Sequence, residues 1–203
     1  GKGNITLIAG DKFLRTVADR ARRIARSSLA GRGIEIVEGE HVRGIEEGRV
    51  TLTSGRDIPS DIGFLCTGVR PSPVFRDSGL PVGKDGGLLV NRYLQSVAYP
   101  NIFGGGDCIS LEDHHLQKVG VYAVRANPVL HNNLLAALGA GQMKEFKPGG
   151  AFLLILNLGN GKGLFWRNTM VFNGRPAFFL KDFIDRRFMR TFQLSGEREE
   201  ESG

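Results

Sequence analysis

The sequence predicts an α/β fold, on three observations. Apolar periodicity switches from strand to helix and back to strand near the start of the chain. A set of short strands with glycine turns follows. A long helical stretch then leads to strand pairs and a final basic helix.

Ile5–Ala9 reads as a short buried strand, closed by Gly10-Asp11. Leu14, Val17, Ala18, Ala21, Ile24, Ala25 and Leu29 share one face of a helix that begins near Lys12 and is stopped by Gly31 and Gly33. Ile34–Val37 returns as a strand, so the first two strands should be parallel, with a right-handed crossover. His41–Ile45, Arg49–Thr53 and Asp57-Ile58 form an antiparallel meander turned by Glu46-Glu47-Gly48 and Ser54-Gly55. Ile62–Cys66 predicts another buried strand, ending at Thr67-Gly68 before Pro71 and Pro73 extend the chain.

Leu88–Val90 and Ile102-Phe103 read as strands, the second running into Gly104-Gly105-Gly106-Asp107. A helix is expected from about Gly120 to Leu138, kinked by Pro128, with Gly139 at its end. Residues 141–150 read as a linker. Phe152–Leu156 and Gly163–Trp166 predict strands around Gly159-Asn160-Gly161. Met170–Phe172 and Pro176–Phe179 flank Asn173-Gly174, a helix covers about Leu180–Phe192, and residues 195–203 are expected to be a disordered charged tail.

Composition narrows the classes. Of 203 residues, 41% are hydrophobic, enough for a packed core, and no internal repeat is present. The net charge of +6 suits an anionic partner: nucleic acid, a phosphate-rich cofactor or a membrane surface. The basic residues cluster at Arg20, Arg22, Arg23 and Arg26 and at Lys181, Arg186, Arg187 and Arg190. No aromatic RNA-binding signature or zinc-finger spacing accompanies them, which argues against nucleic acid. Cys66 and Cys108 have no metal or redox spacing and read as buried small residues. No signal peptide and no apolar run of membrane-spanning length is present, so an intracellular, cytoplasmic protein is expected.

Three stretches could carry chemistry. Gly104-Gly105-Gly106-Asp107 would let backbone approach a ligand while Asp107 accepts bonds from its hydroxyls, or it is a turn whose Asp caps a helix. Thr67-Gly68-Val69-Arg70-Pro71 fits a crossing between sheets or an approach to a cofactor, and equally a plain strand-to-loop turn. Lys118-Val119-Gly120-Val121 opens the long helix, where unpaired N–H groups and a positive dipole end suit an anion, with Lys118 as a full charge or as a solvated side chain.

In this order, TGxRP, NIFGGGDC and KxGVYAVR resemble the pyridine nucleotide-disulfide oxidoreductase superfamily, flavoproteins with two dinucleotide-binding domains. The resemblance implies FAD and NAD(P)H. It gives Thr67 and Gly68 the return from the NAD(P)H domain to the FAD domain, and Gly106 and Asp107 the ribityl chain of FAD. Lys118, Gly120 and Val121 fall at the helix start that faces the flavin ring. Phe152–Trp166 and Leu180–Met189 are similar to the branch with type II NADH dehydrogenases and sulfide:quinone oxidoreductases, and most like the oxidoreductase module fused to selenide, water dikinases. The implied architecture is a partial Rossmann-like flavoprotein with a β-meander and a C-terminal α+β interface region. Residues 1–70 would be part of an NAD(P)H-binding domain, 71–140 the end of an FAD-binding domain, and 141–203 the interface region.

Two departures from the family stand out. Leu153-Leu154-Ile155 occupies the place of a sulfide-reactive cysteine, and neither GxGxxG turn is present. The expectation is therefore a chain that begins at the second strand of its NAD(P)H domain. Its open sheet would be filled by the N-terminal half of the same protein or by a second copy, or closed by a local rearrangement that brings the strands together. Asp11, ending that strand, would accept from the ribose 2′-OH and lean toward NADH, or cap the following helix. The last helix, with Leu180, Phe183, Ile184, Phe188 and Phe192 on one face, would rest on a membrane interface where quinone is reached, or pack on its own domain. The complete protein would pass electrons from NAD(P)H through flavin to a second acceptor. The rival reading is a folded fragment or interaction module that binds no flavin alone.

Overall fold

The computed structural model describes residues 3–150 and 153–192. In chain order the elements are β1 (Ile5–Ile8), α1 (Asp19–Ala30), β2 (Ile34–Val37), β3 (Val42–Glu46), β4 (Arg49–Leu52), β5 (Asp57–Pro59), α2 (Val74–Asp77) and β6 (Leu88–Val90). They continue with a 3₁₀ turn (Gly106–Cys108), β7 (Ile109–Leu111), α3 (Gly120–Ala137), β8 (Leu154–Gly159), β9 (Lys162–Arg167), β10 (Met170–Gly174) and α4 (Arg175–Phe192). The chain divides into two compact units, Gly1–Gly63 with Ala151–Gly203, and Phe64–Gly150.

In the first unit β1 and β2 pair in parallel, Ile5 opposite Ile34 and Ile8 opposite Val37. The small residues Ala21 and Ala25 on the inner face of α1 are buried with Phe13, Val17, Leu164 and Val171, which lets the helix lie close to β9 and β10. β3, β4 and β5 form the expected antiparallel meander over Val37, Val50 and Leu52. β8, β9 and β10 form a second antiparallel sheet, in the order β10-β9-β8. α4 crosses β9 at Gly163, where a Cβ would lie 2.8 Å from the backbone of Ala177 and Phe178. Only glycine permits that approach.

Several expectations for this unit and for the stretch that leads out of it change. α1 starts at Asp19 rather than near Lys12, because Leu14 takes a positive φ of 48° and the Phe13 amide donates to Glu38 Oε1 at 2.6 Å. Pro176–Phe179 is the first turn of α4, not a strand, since proline is at home in a first helical turn. The turn between β9 and β10 is made by Asn168, with φ 53°, and Asn173-Gly174 ends β10. The Ile62–Cys66 strand does not form: this stretch has no pairing partner among the described residues, and Ile62, Phe64 and Leu65 are 78%, 90% and 70% exposed. A strand without a neighbour has nothing to satisfy its backbone, so apolar composition alone does not make one. Cys66, expected to be buried, is exposed for the same reason. Phe152 and the charged tail from residue 195 lie outside the described residues.

In the second unit β6 and β7 pair in parallel, Leu88 opposite Ile109. They build a core of Leu88, Val90, Leu94, Ile109, Ala126 and Phe146 beneath α3. α3 continues through Pro128 for 18 residues. Ile102-Phe103 is not a strand: a single bridge joins Phe103 to Gln95. The expected linker at 141–150 is anchored, since the Phe146 amide donates to Arg92 O at 2.7 Å and the Lys144 amide to Asn133 Oδ1 at 2.7 Å. Asn133 is fully buried on α3, and its Nδ2 also donates to Tyr93 O and Lys144 O, both at 2.8 Å.

Replacing Asn133 with Ala strands these backbone partners in the core. Urea unfolding of the variant should show a loss of about 2–4 kcal/mol, the cost expected for unsatisfied buried groups. A loss below about 1 kcal/mol would show that water replaces the amide.

Candidate functional site

The site grows from the glycine run in the second unit. Gly104 is held against the sheet, since a Cβ there would stand 2.7 Å from Ile109 Cγ2. At Gly105 a Cβ would stand 3.0 Å from Leu130 Cδ2 of α3. Gly106 turns the chain at φ 71°, and its missing Cβ would lie 3.5 Å from that of Ala123 in the first turns of α3. The run is therefore a packing joint between the β6-β7 pair and α3, and it places the 3₁₀ turn beside the start of that helix. The expected strand-end position of Asp107 is corrected: it sits in the turn just before β7.

Asp107 is half-buried, and its carboxylate takes no hydrogen bond or ion pair from the described residues. Cys108 Sγ donates to Gly105 O at 3.0 Å, fixing the turn from below. Across from it, Val119 is extended at the head of α3 and supplies no side-chain cap. Gly120 is exposed, with open space where a side chain would be, and Val121 is half-buried. An unpartnered carboxylate next to an uncapped helix start offers both an acceptor for hydroxyls and N–H donors for an electron-rich ring. These residues fit the ribityl and ring ends of a flavin.

Lys118 is neither solvated nor a bare charge. Its side chain is 13% exposed, its Nζ lies 2.9 Å from Asp85 Oδ2, and it donates to Ile109 O. Asp85 also accepts from Ser110 Oγ and, at 3.0 Å, from the Gly87 amide. Burial pushes the Asp85 carboxyl up, but the bonds from Ser110, Lys118 and Gly87 outweigh it and bring it down to about 2.

Thr67 and Gly68 are exposed, and Gly68 turns at φ 91°. They lead into Val69 and Arg70, which line a cleft of about 580 Å³ with Arg76, Lys84, Asp85 and Lys118. Cations outnumber acids in this cleft, which suits a ligand with phosphate groups. Sequence reasoning missed Asp85, Ser110 and Arg76. Asp85 lies in Gly83-Lys84-Asp85-Gly86-Gly87, which signals a turn and nothing more.

Asp11 belongs to the first unit. It caps no helix, since α1 starts eight residues later at Asp19. Its Oδ1 lies 2.9 Å from His41 Nε2, and its Oδ2 lies 3.4 Å from Arg15 Nη1. The His41 hydrogen bond, then the charges of His41 and Arg15, hold this exposed carboxyl below its ordinary value. Among the described residues no cluster of three or more His, Cys, Asp or Glu could hold a metal ion.

Known proteins resemble this chain over part of its length. Ferroptosis suppressor protein 1 of Taeniopygia guttata is 29% identical over 154 residues, covering 70% of this chain and 40% of that protein. The mitochondrial internal alternative NAD(P)H-ubiquinone oxidoreductase A1 of Solanum tuberosum is 28% identical over 105 residues, covering 52% of this chain and 21% of that protein. The chain thus spans well under half the length of either relative. The crystal structure of sulfide:quinone oxidoreductase from Aquifex aeolicus superposes with a TM-score of 0.67 at 18% identity, over 91% of this chain and 49% of that one. It shares the Rossmann-like α/β fold. The sequence model for pyridine nucleotide-disulphide oxidoreductases matches residues 2–132, and with that span covered the chain belongs to this family.

Proposed function

We propose that this chain forms part of an FAD-dependent NAD(P)H oxidoreductase that passes electrons through flavin to a quinone. The observation that carries the reading is the meeting of the unpartnered Asp107 carboxylate with the uncapped start of α3. Bound FAD would supply the hydride and electron chemistry. Asp107 accepts from the ribityl hydroxyls, while the amides of Gly120 and Val121 favour negative charge on the ring. Asp11, at the end of β1, accepts from the ribose of NADH, and its negative charge disfavours a 2′-phosphate. The potato relative, an NAD(P)H-ubiquinone oxidoreductase by name, supports the choice of acceptor.

A membrane surface is the proposed route to quinone. No described helix is long and apolar enough to cross a membrane. α4, however, packs at its first turn through Ala177 and leaves Phe179, Phe183, Ile184, Phe188 and Met189 exposed. Lys181, Arg186, Arg187 and Arg190 stand among them, and that mixture suits an interface of anionic lipid. The open edge of β1 calls for a further strand. Ile5 and Leu7 are 59% and 37% exposed, and a two-stranded parallel sheet is marginal alone. The N-terminal half of the same protein, or a second copy, would supply it.

Three outcomes test these readings. In the complete protein, Asp107→Ala should weaken flavin binding by about tenfold or more, the worth of one hydrogen bond to a charged group. The unfolding curve of the flavin-free protein should not move, and full flavin occupancy would remove Asp107 from the site. A wild type that purifies without flavin absorbance would favour the non-catalytic interaction module. The protein should co-sediment with anionic vesicles at low salt and be released at high salt, and no sedimentation at low salt would return α4 to a structural role. Intact mass spectrometry with size-exclusion light scattering should find β1 accompanied by a further segment or copy. A stable monomer of these residues alone would end that proposal.

A further inference from the structure

The geometry points to Asp85 as a positioning residue for the flavin site: it holds Lys118 in place and cancels the charge that Lys118 would otherwise bring to the ring. This rests on the reading that flavin lies between Asp107 and the head of α3. Lys118 is the residue before the N-cap of α3, and its side chain runs from there to Asp85 and β7. An ammonium has three donors. One is taken by Asp85 Oδ2 at 2.9 Å and one by Ile109 O, which leaves one for a ligand.

Asp85 is itself built into place. Ser110 Oγ and the Gly87 amide both donate to its Oδ1. The loop that carries it presses on β7 so closely that a Cβ at Gly87 would stand 2.7 Å from the Ile109 carbonyl carbon. Ser110 and Ile109 both lie on β7, directly after the turn that holds Asp107. The strand that follows the ligand-binding carboxylate thus also fixes the acid that governs the lysine. With both partners charged, the pair adds almost no net charge at the flavin. Without Asp85, a largely buried cation would face the ring alone, where low screening strengthens its effect.

The test is the midpoint potential of the flavin in the complete, flavin-loaded protein at pH 7. Asp85→Asn should shift it to more positive values, since an unpaired ammonium stabilises the anionic reduced ring. Lys118→Met should shift it to more negative values, since the carboxylate is left behind. The double variant should return close to wild type, and Asp85→Glu, which keeps the charge, should do the same. Opposite signs and their cancellation are not expected from a loop that only supports the fold. Should Asp85→Asn fail to fold, Lys118→Met and the neutral double variant still carry the comparison. If Asp85→Asn leaves the potential unmoved, or the double variant fails to recover from Lys118→Met, Asp85 does not act through Lys118 and only this inference is lost. A wild type that binds no flavin would overturn both this inference and the reading beneath it.

Discussion

Asn133 is the one polar side chain on α3 that is wholly buried, and it commits its amide to backbone groups of two other segments. Through it the helix is locked to Tyr93, near the end of the β6 region, and to Lys144, beyond the helix itself. A buried amide with every bond made tolerates little sliding, because any shift exposes several unsatisfied groups at once. α3 therefore enters the glycine run at a fixed height. At that height Leu130 meets Gly105 and Ala123 meets Gly106. The relation between Asp107 and the amides of Gly120 and Val121 follows from a contact made more than two turns further along the same helix.

Electrostatics adds a second layer to this frame. The cleft is cationic through Arg70, Arg76 and Lys84, yet its most buried cation, Lys118, is neutralised by Asp85. Exposed charges attract a phosphate-bearing ligand from a distance and are damped by salt. A pair whose cation is largely withdrawn from solvent acts over a short range and is damped less. On the proposed reading the two sets of charges serve different distances, one for capture and one for the ring.

The α/β class was legible because period and punctuation agree: Ala21 and Ala25 fall on the helical stripe, and Ile34–Val37 returns after Gly33. The meander was legible from Gly48 and Gly55. Asp107, Gly120 and Lys118 stood out because family motifs surround them. What escaped depended on partners distant in sequence. Ile62–Cys66 has strand composition, but strand formation is a property of a pair, and no described neighbour pairs with it. Phe13 and Leu14 carry the helical stripe, but the amide of Phe13 is claimed by Glu38. Asp85 reads as a turn residue until Ser110 and Lys118 are seen around it. Nothing within a window of ten residues could have revealed that constellation.

The crossing of α4 over β9 has a mechanical consequence. With no side chain at Gly163, backbone rests on backbone, and the helix root has no compressible layer beneath it. Such a joint resists translation but can act as a fulcrum, with the exposed length from Phe179 onward as the lever arm. A force applied at the far end would be returned to β9 as torque rather than absorbed by repacking. Trp166 and Phe165 on that strand would feel it first, which makes the indole a natural optical reporter of whatever α4 touches.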